Sequence, residues 1–176
     1  MQGRAARSDP ATRRALIAEA AETLLVERDP LLVTFEEVAA AAAVSRPLVH
    51  AYVGDRRGLI DAVQVRILGR LHTWVDHGLG RARTRPERLR AIVSGTFAFV
   101  EAEIDAWGVI GATGGFDHPA CHGIRRRWAA TLSPEDDPAH LGAEAAVAAL
   151  LGGVGAWVHR GVDPDDVIHL LAGLLA

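Results

Sequence analysis

Residues 34–60 read TFEEVAAAAAVSRPLVHAYVGDRRGLI, and the fold turns on how this stretch is read. Thr34 precedes Phe35-Glu36-Glu37, and Val38-Ala39 follow. A hydroxyl satisfies free backbone N–H groups, and carboxylates complement the positive end of a helix, so this order predicts an N-cap, an acidic first turn and an apolar face. The small residues Ala39–Ala43 allow a neighbouring helix to come close, and Ala43-Val44-Ser45 interrupts the pattern. A short helix is predicted from Arg46 to about Tyr52. Gly54 ends it, and Asp55 caps a long helix that carries Leu59, Ile60, Val63, Ile67 and Leu71 at helical spacing. Helix, tight turn, short helix and long helix together predict a helix-turn-helix, in which the second helix enters the major groove of DNA. Val44, Val49 and Val53 can face inward. Arg46, Leu48, His50, Ala51 and Tyr52 then have no obvious place in the core.

The helical pattern continues on both sides. Upstream, Ile17, Ala20, Ala21, Leu24 and Leu25 share a face, and Asp29-Pro30 stops the run. Downstream, after Gly78-Leu79-Gly80, the pattern restarts at Pro86. Leu89, Ile92, Val93, Thr96, Phe97, Val100 and Ile104 then form one apolar stripe. Residues 107–122 are expected to be broken by glycines and Pro119, with a short helix over 123–132 and an acidic loop at 133–138. Two closing helices are expected at about 139–160 and 164–175. No segment alternates with period two. The chain is read as all-α, with a helix-turn-helix module over residues 10–70 and a helical bundle over 71–176, joined by the long helix.

Composition limits the function classes. The 176 residues carry a net charge of −3, which excludes a generally basic nucleic-acid binder. Charge is nevertheless uneven: residues 1–14 hold Arg4, Arg7, Arg13 and Arg14 against Asp9 alone. All 19 basic residues are Arg, which reads as coding bias rather than as 19 sites selected for bidentate binding. One cysteine, Cys121, rules out an intrachain disulfide. The N-terminus has no apolar signal core, and the uncharged stretch 145–158 is too short to span a bilayer. A cytoplasmic protein with no membrane partner is expected.

The stretch Val109–Phe116, VIGATGGF, looks like the start of a dinucleotide loop. The third position of that fingerprint is Asp117 rather than glycine, and both flanks read as helix. An acid at a helix entrance repels a pyrophosphate. A helix interruption is expected here, and no cofactor. Neither paired carboxylates on one face nor a nucleophile with a base at a recognisable spacing appears, so no catalytic residue is expected.

The segment Ala-x-x-Val-Ser-Arg-Pro-Leu-Val-His-Ala-Tyr-Val-Gly-Asp-Arg-Arg-Gly-Leu, ending at Leu59, resembles the DNA-reading segment of TetR-type transcriptional regulators. The first helix, with its Glu27-Arg28 end, and the spacing from Thr34 to Val38-Ala39 are similar too. The strong similarity covers residues 13–63. The resemblance implies a one-component regulator, typically a repressor. Such a protein binds a palindromic double-stranded operator as a homodimer and is released by a small-molecule effector. Carried over by position, the recognition helix starts at Ser45 or Arg46, with Arg46, Pro47 and Leu48 nearest the base edges. His50 stands where a Tyr usually contacts the backbone, and Tyr52 where a His is common. Arg56 stands where a Lys commonly binds phosphate, and Thr34 would hold phosphate from the preceding helix. The chemistry agrees: Arg can pair with both guanine acceptors, Leu48 can touch a thymine methyl, and hydroxyls and guanidinium position a helix on phosphates. Three residues depart from the pattern. Ala43 stands where Gly is common in the turn, His50 makes one backbone contact titratable, and Glu36 and Glu37 near the DNA face would weaken non-specific binding.

The resemblance further implies that the last two helices form the dimer interface, with Leu151, Val154 and Trp157 on one and Leu171 and Leu174 on the other. Gly152, Gly153 and Gly155 serve either close approach between subunits or loose packing within one. An effector cavity is expected among Phe97, Val100, Ile104 and Trp107, with Phe116, His118, Cys121 and Trp128, though each of these also suits a plain core. Apolar and aromatic lining favours a mostly apolar effector. His118, Cys121 and His122 lie close together, but their spacing matches no established zinc pattern and a fourth ligand is missing, so no metal is expected. Arg125-Arg126-Arg127 is a solvated face or an anion clamp. The competing class is a helical-bundle ligand-binding protein or enzyme in which the helix-turn-helix is incidental.

Overall fold

The computed structural model describes residues 9–133 and 141–175. Most of the basic N-terminal arm and most of the acidic loop lie outside them. The described residues form helices α1 (Pro10–Glu27), α2 (Phe35–Ala41), α3 (Arg46–Val53), α4 (Arg56–Leu79), α5 (Arg85–Ala102), α6 (Ile104–Ala112), α7 (Pro119–Leu132), α8 (Leu141–His159) and α9 (Pro164–Leu174). A single 3-10 turn, Gly115–Asp117, separates α6 from α7. No strand occurs among the described residues, so the all-α expectation holds. The chain divides into two compact units, Met1–Arg66 and Ile67–Ala176, with the boundary inside α4.

In the first unit α1 packs on α2 and α3, and α2 packs on α3. Its core is aliphatic: Ile17, Ala21, Val38, Val49 and Val63 are all fully buried. Residues this small let short helices cross at close range. Two acids of α1 pair with Arg66 of α4, whose Nε bonds Glu22 at 2.9 Å and whose Nη2 lies 3.6 Å from Glu19.

In the second unit α5 lies at the centre and packs on α6, α7, α8 and α9. Two glycines bring α4 close to it, because a Cβ on Gly78 would stand 3.0 Å from Ala91 and one on Gly95 would stand 3.1 Å from Val75. α5 begins with a full capping box: Thr84 accepts from the Glu87 N–H, and the Glu87 carboxylate accepts from the N–H of Thr84 at 3.0 Å. Arg85 donates to the carbonyls of Leu132 and Leu175, and Arg88 to that of Thr131, which ties down the C-terminal ends of α7 and α9. Cations there also oppose the negative end of each helix.

The observed elements depart from the expected ones at three places. The stripe from Leu89 stops at Val100: α5 ends at Ala102, Glu103 leaves the helical region at φ −131 and ψ 47, and Ile104 is 44% exposed at the start of α6. Both Glu103 oxygens accept from Arg70 of α4, a bond that nothing local in the sequence announces. Second, α6 runs through Gly108 and Gly111. The burial of Ala106, Trp107, Val109 and Ile110 outweighs a helix penalty of about 1 kcal/mol per glycine. The interruption is confined to Gly114 and Gly115, both at positive φ, so the glycine-rich stretch is helix and then turn. Third, α7 begins at Pro119 rather than near residue 123, since proline suits a first helical turn.

α8 is long and apolar enough, by length and composition alone, to cross a membrane. It packs on α5, α7 and α9 through Ala143, Ala146, Val147, Leu150, Leu151 and Val154.

Candidate nucleic-acid interface

The α2–turn–α3 segment is fixed by local bonds that the residue types require. Thr34 Oγ1 accepts from the Glu37 N–H at 3.3 Å, and Glu37 Oε2 accepts from the Thr34 N–H at 2.8 Å, so two free helix donors are satisfied reciprocally. The Thr34 N–H and then its hydroxyl, both donating to the Glu37 carboxylate, hold that carboxyl below the usual carboxylate range, and Arg28, paired with it, adds to the effect. At the other end of α2 the Val44 N–H bonds the Ala39 carbonyl at 2.9 Å and the Ala43 N–H bonds that of Ala40 at 3.2 Å. This is a Schellman turn, which places its C′ residue in the left-handed region. That residue is Ala43, at φ 52. The turn therefore does need positive φ where glycine is absent.

α3 runs Arg46–Val53, with Ser45 as N-cap and Pro47 in its first turn. Val49 and Val53 are buried, and Leu48 and Tyr52 are half-buried. Thr34, Ser45, Arg46, Pro47, His50 and Arg56 are exposed. Gly54, at φ 74, closes the helix by donating to the His50 carbonyl at 2.8 Å. Asp55 Oδ1 accepts from the Gly58 N–H at 2.9 Å and opens α4. Gly58 has no substitute, because a Cβ there would lie 1.9 Å from the Val53 carbonyl oxygen.

Three side chains assigned to DNA by position are already engaged within the chain. Arg46 Nη1 bonds Glu36 Oε1 at 2.6 Å. The His50 ring stacks on Phe35, with centroids 4.4 Å apart and planes 14° apart, and its Nδ1 lies 2.9 Å from the Gly54 carbonyl oxygen. The Arg56 guanidinium donates to the carbonyls of Val33, at 3.0 Å, and Pro30. It braces the loop before α2 against the start of α4. Sequence reading missed these partners, since Phe35 lies 15 positions from His50 and Val33 lies 23 from Arg56.

The second unit holds the residues expected to line a cavity. Phe97, Val100, Cys121 and Trp128 are fully buried, Trp107 nearly so, and Phe116 and His118 half-buried. Ile104 faces solvent and does not join them. Trp107 contacts Phe116 at 5.1 Å between centroids, and also Phe99 at 6.2 Å, which the sequence reading did not name. Trp128 Nε1 is buried without a hydrogen-bond partner among the described residues. Burial pushes the Cys121 thiol up to about 11, with Arg125 offsetting part of the shift. No three metal-ligating side chains converge among the described residues.

The residues expected at a dimer interface separate. Leu151, Val154 and Leu171 belong to the protomer's own core, and Trp157 stacks on Phe97 at 6.4 Å. Only Leu174, 50% exposed, is free to meet a partner. Gly153 and Gly155 also serve the interior, because a Cβ on either would press on Trp157 or Trp107. Gly152 faces open space.

Residues 17–63 match the family model for bacterial regulatory proteins of the tetR family. The HTH-type transcriptional regulator BetI of Brucella anthropi is 35% identical over 102 residues, covering 56% of this chain and 52% of that protein. BetI of Rhizobium meliloti is 31% identical over 102 residues, covering 56% and 50%. The chain thus spans about half the length of the curated relatives it matches. Among solved structures, a TetR transcriptional regulator from Rhodococcus sp. RHA1 aligns over 94% of this chain and 97% of its own, with a TM-score of 0.69 and 16% identity. FadR from Bacillus subtilis, solved in complex with stearoyl-CoA, aligns over 91% and 94%, with a TM-score of 0.63 and 13% identity. These likenesses concern the fold.

Proposed function

We propose that this chain, a TetR-type transcriptional regulator by its residues 17–63 and its fold, is a repressor. It binds a palindromic operator as a homodimer and leaves it when a small effector binds. One observation carries the reading: the Schellman turn at Ala43 joins α2 to an α3 whose first turn, Ser45 to Pro47, is exposed and carries no core side chain. In a helix-turn-helix the N-terminal residues of the second helix contact base edges. Arg46 reads a guanine edge, Leu48 offers an apolar contact, and Thr34, Ser45, His50 and Tyr52 position the helix on the backbone. Arg56 acts differently from a free phosphate ligand, since its guanidinium orders the loop that presents Thr34.

The effector we infer is mostly apolar and carries a hydrogen-bond acceptor. The residues proposed to meet it are Phe97, Trp107, Phe116 and Trp128, and the buried donor at Trp128 Nε1 has no partner among the described residues. The acyl-CoA named for the FadR structure is an example of a ligand with a long apolar part. The effector is proposed to release DNA by changing the conformation of the chain. It can do so only by its differential affinity for the two states.

The test is fluorescence anisotropy with duplex DNA from upstream of the protein's own gene, at two salt concentrations. Arg46→Ala is expected to weaken binding by about 1–3 kcal/mol. Unchanged affinity of that variant overturns the assignment of α3 as the reading helix.

A further inference from the structure

The two acids in the first turn of α2 have different fates. Glu37 is held by the cap and by Arg28. Glu36 takes no part in the cap. Its carboxylate reaches across the turn to the first residue of α3, holding Arg46 at 2.6 Å, with the side chains 61% and 57% exposed. An ion pair this exposed adds little to stability. Its position, beside the side chain assigned to base reading, is what gives it consequence.

We propose that Glu36 is a specificity-determining residue for DNA reading and acts by positioning Arg46. The inference rests on the role of α3 proposed above. A guanidinium carries five N–H donors in a planar fork, and Glu36 engages one nitrogen, so the remaining donors stay available. An unrestrained Arg beside DNA is drawn to the nearest phosphate, a contact that carries no sequence information. The carboxylate opposes that in two ways. It holds the guanidinium at the start of α3, and it repels any phosphate that approaches the same spot. A guanine edge offers the O6 and N7 acceptors without a formal charge, and so meets less of this repulsion. Glu36 therefore weakens binding to every sequence, and weakens it least where guanine meets Arg46. The ratio between specific and non-specific binding rises.

The experiment uses two duplexes: the one the wild-type chain enriches from a randomised library, and a scrambled duplex of the same composition. Affinities are measured at two salt concentrations for the wild type, Glu36→Gln, Arg46→Ala and the double variant. Glu36→Gln is expected to bind the scrambled duplex several-fold more tightly and with a steeper salt dependence, because one more phosphate is engaged. The ratio of the two affinities is expected to fall about two- to threefold, less than the gain on the scrambled duplex, because the enriched duplex is bound more tightly as well. In the Arg46→Ala background the same substitution is expected to leave the ratio unchanged. Glu36→Asp keeps the charge but shortens the reach, and is expected to fall between the wild type and Glu36→Gln. A ratio that Glu36→Gln does not alter, or alters equally without Arg46, overturns the proposal while leaving the DNA-reading role standing. Failure of the wild type to enrich any duplex overturns that role itself, and this inference with it.

Discussion

Ala43 sits at φ 52 in the turn between α2 and α3, where its Cβ crowds the backbone and glycine would not. Ala43→Gly is expected to raise stability by about 0.5–1 kcal/mol, the relief of strain being partly offset by the freer unfolded chain. Urea unfolding checks this, and an unchanged or lower midpoint refutes it. Cys121 makes a second case. It is fully buried with its thiol raised to about 11, so it stays protonated and covered at neutral pH. A disulfide reagent at pH 8 is expected to leave the native chain unreacted and to modify it fully in denaturant. The linkage has a definite sign: an acid whose folded pKa is raised binds its proton more tightly in the native state. Its contribution is complete below the unfolded value near 9 and is lost as pH rises from there through about 11.

The helix caps were legible because their chemistry is local. Thr34 and Asp55, the two caps read from the sequence, each bond a backbone N–H three positions ahead, so the residue and its partner share one short window. What the sequence hid was non-local. The break at Glu103 interrupts an apolar stripe that continues on paper to Ile104, and Arg70 on another helix completes it. The engagement of Arg46, His50 and Arg56 was equally hidden, because periodicity reports which side chains face outward and not which of them find one another. Periodicity also marked Leu151, Val154 and Leu171 as apolar without saying whether the same chain or a second one covers them. The caps themselves make a pH prediction. The carboxyls of Glu37 and Glu87 are both lowered, chiefly by N–H groups donated at the starts of α2 and α5. A lowered carboxyl contributes fully above its unfolded value of 4.5 and loses that contribution as pH falls through its folded one. Helical circular dichroism at fixed urea is expected to hold from neutral pH to about that value and then decline. Thr34→Ala removes the reciprocal cap and is expected to destabilise by about 1 kcal/mol at neutral pH, with a smaller loss below pH 4. An equal loss at both pH values would count against the cap.

With its core residues accounted for, the second unit leaves one face of α8 uncovered. Ala145, Ala149, Gly152 and Ala156 recur at helical spacing and are all exposed, and Leu141 at the head of the same helix is 70% exposed. On α9, Leu170 and Leu174 are 60% and 50% exposed. Small side chains let two helices approach closely, and the large apolar ones at the edges supply the area that a stable contact needs, upward of about 1,000 Å² in total. The homodimer proposed above is therefore expected to pair along α8 and α9 through Ala149, Gly152, Leu170 and Leu174, in place of the buried Leu151 and Leu171 that the resemblance implied. Such a dimer is expected to need half-sites about 34 Å apart. Ala149→Arg combined with Leu170→Glu places charge on this face without touching the protomer core. Sedimentation is expected to show the wild type as a dimer and the double variant as a folded monomer. Affinity for a palindromic duplex is expected to fall by about 10²-fold or more as the second half-site ceases to be an intramolecular partner, while affinity for a single half-site is unchanged. A double variant that still sediments as a dimer would move the interface elsewhere. A wild type that is monomeric at the concentration where it binds DNA would remove the palindrome from the proposed function.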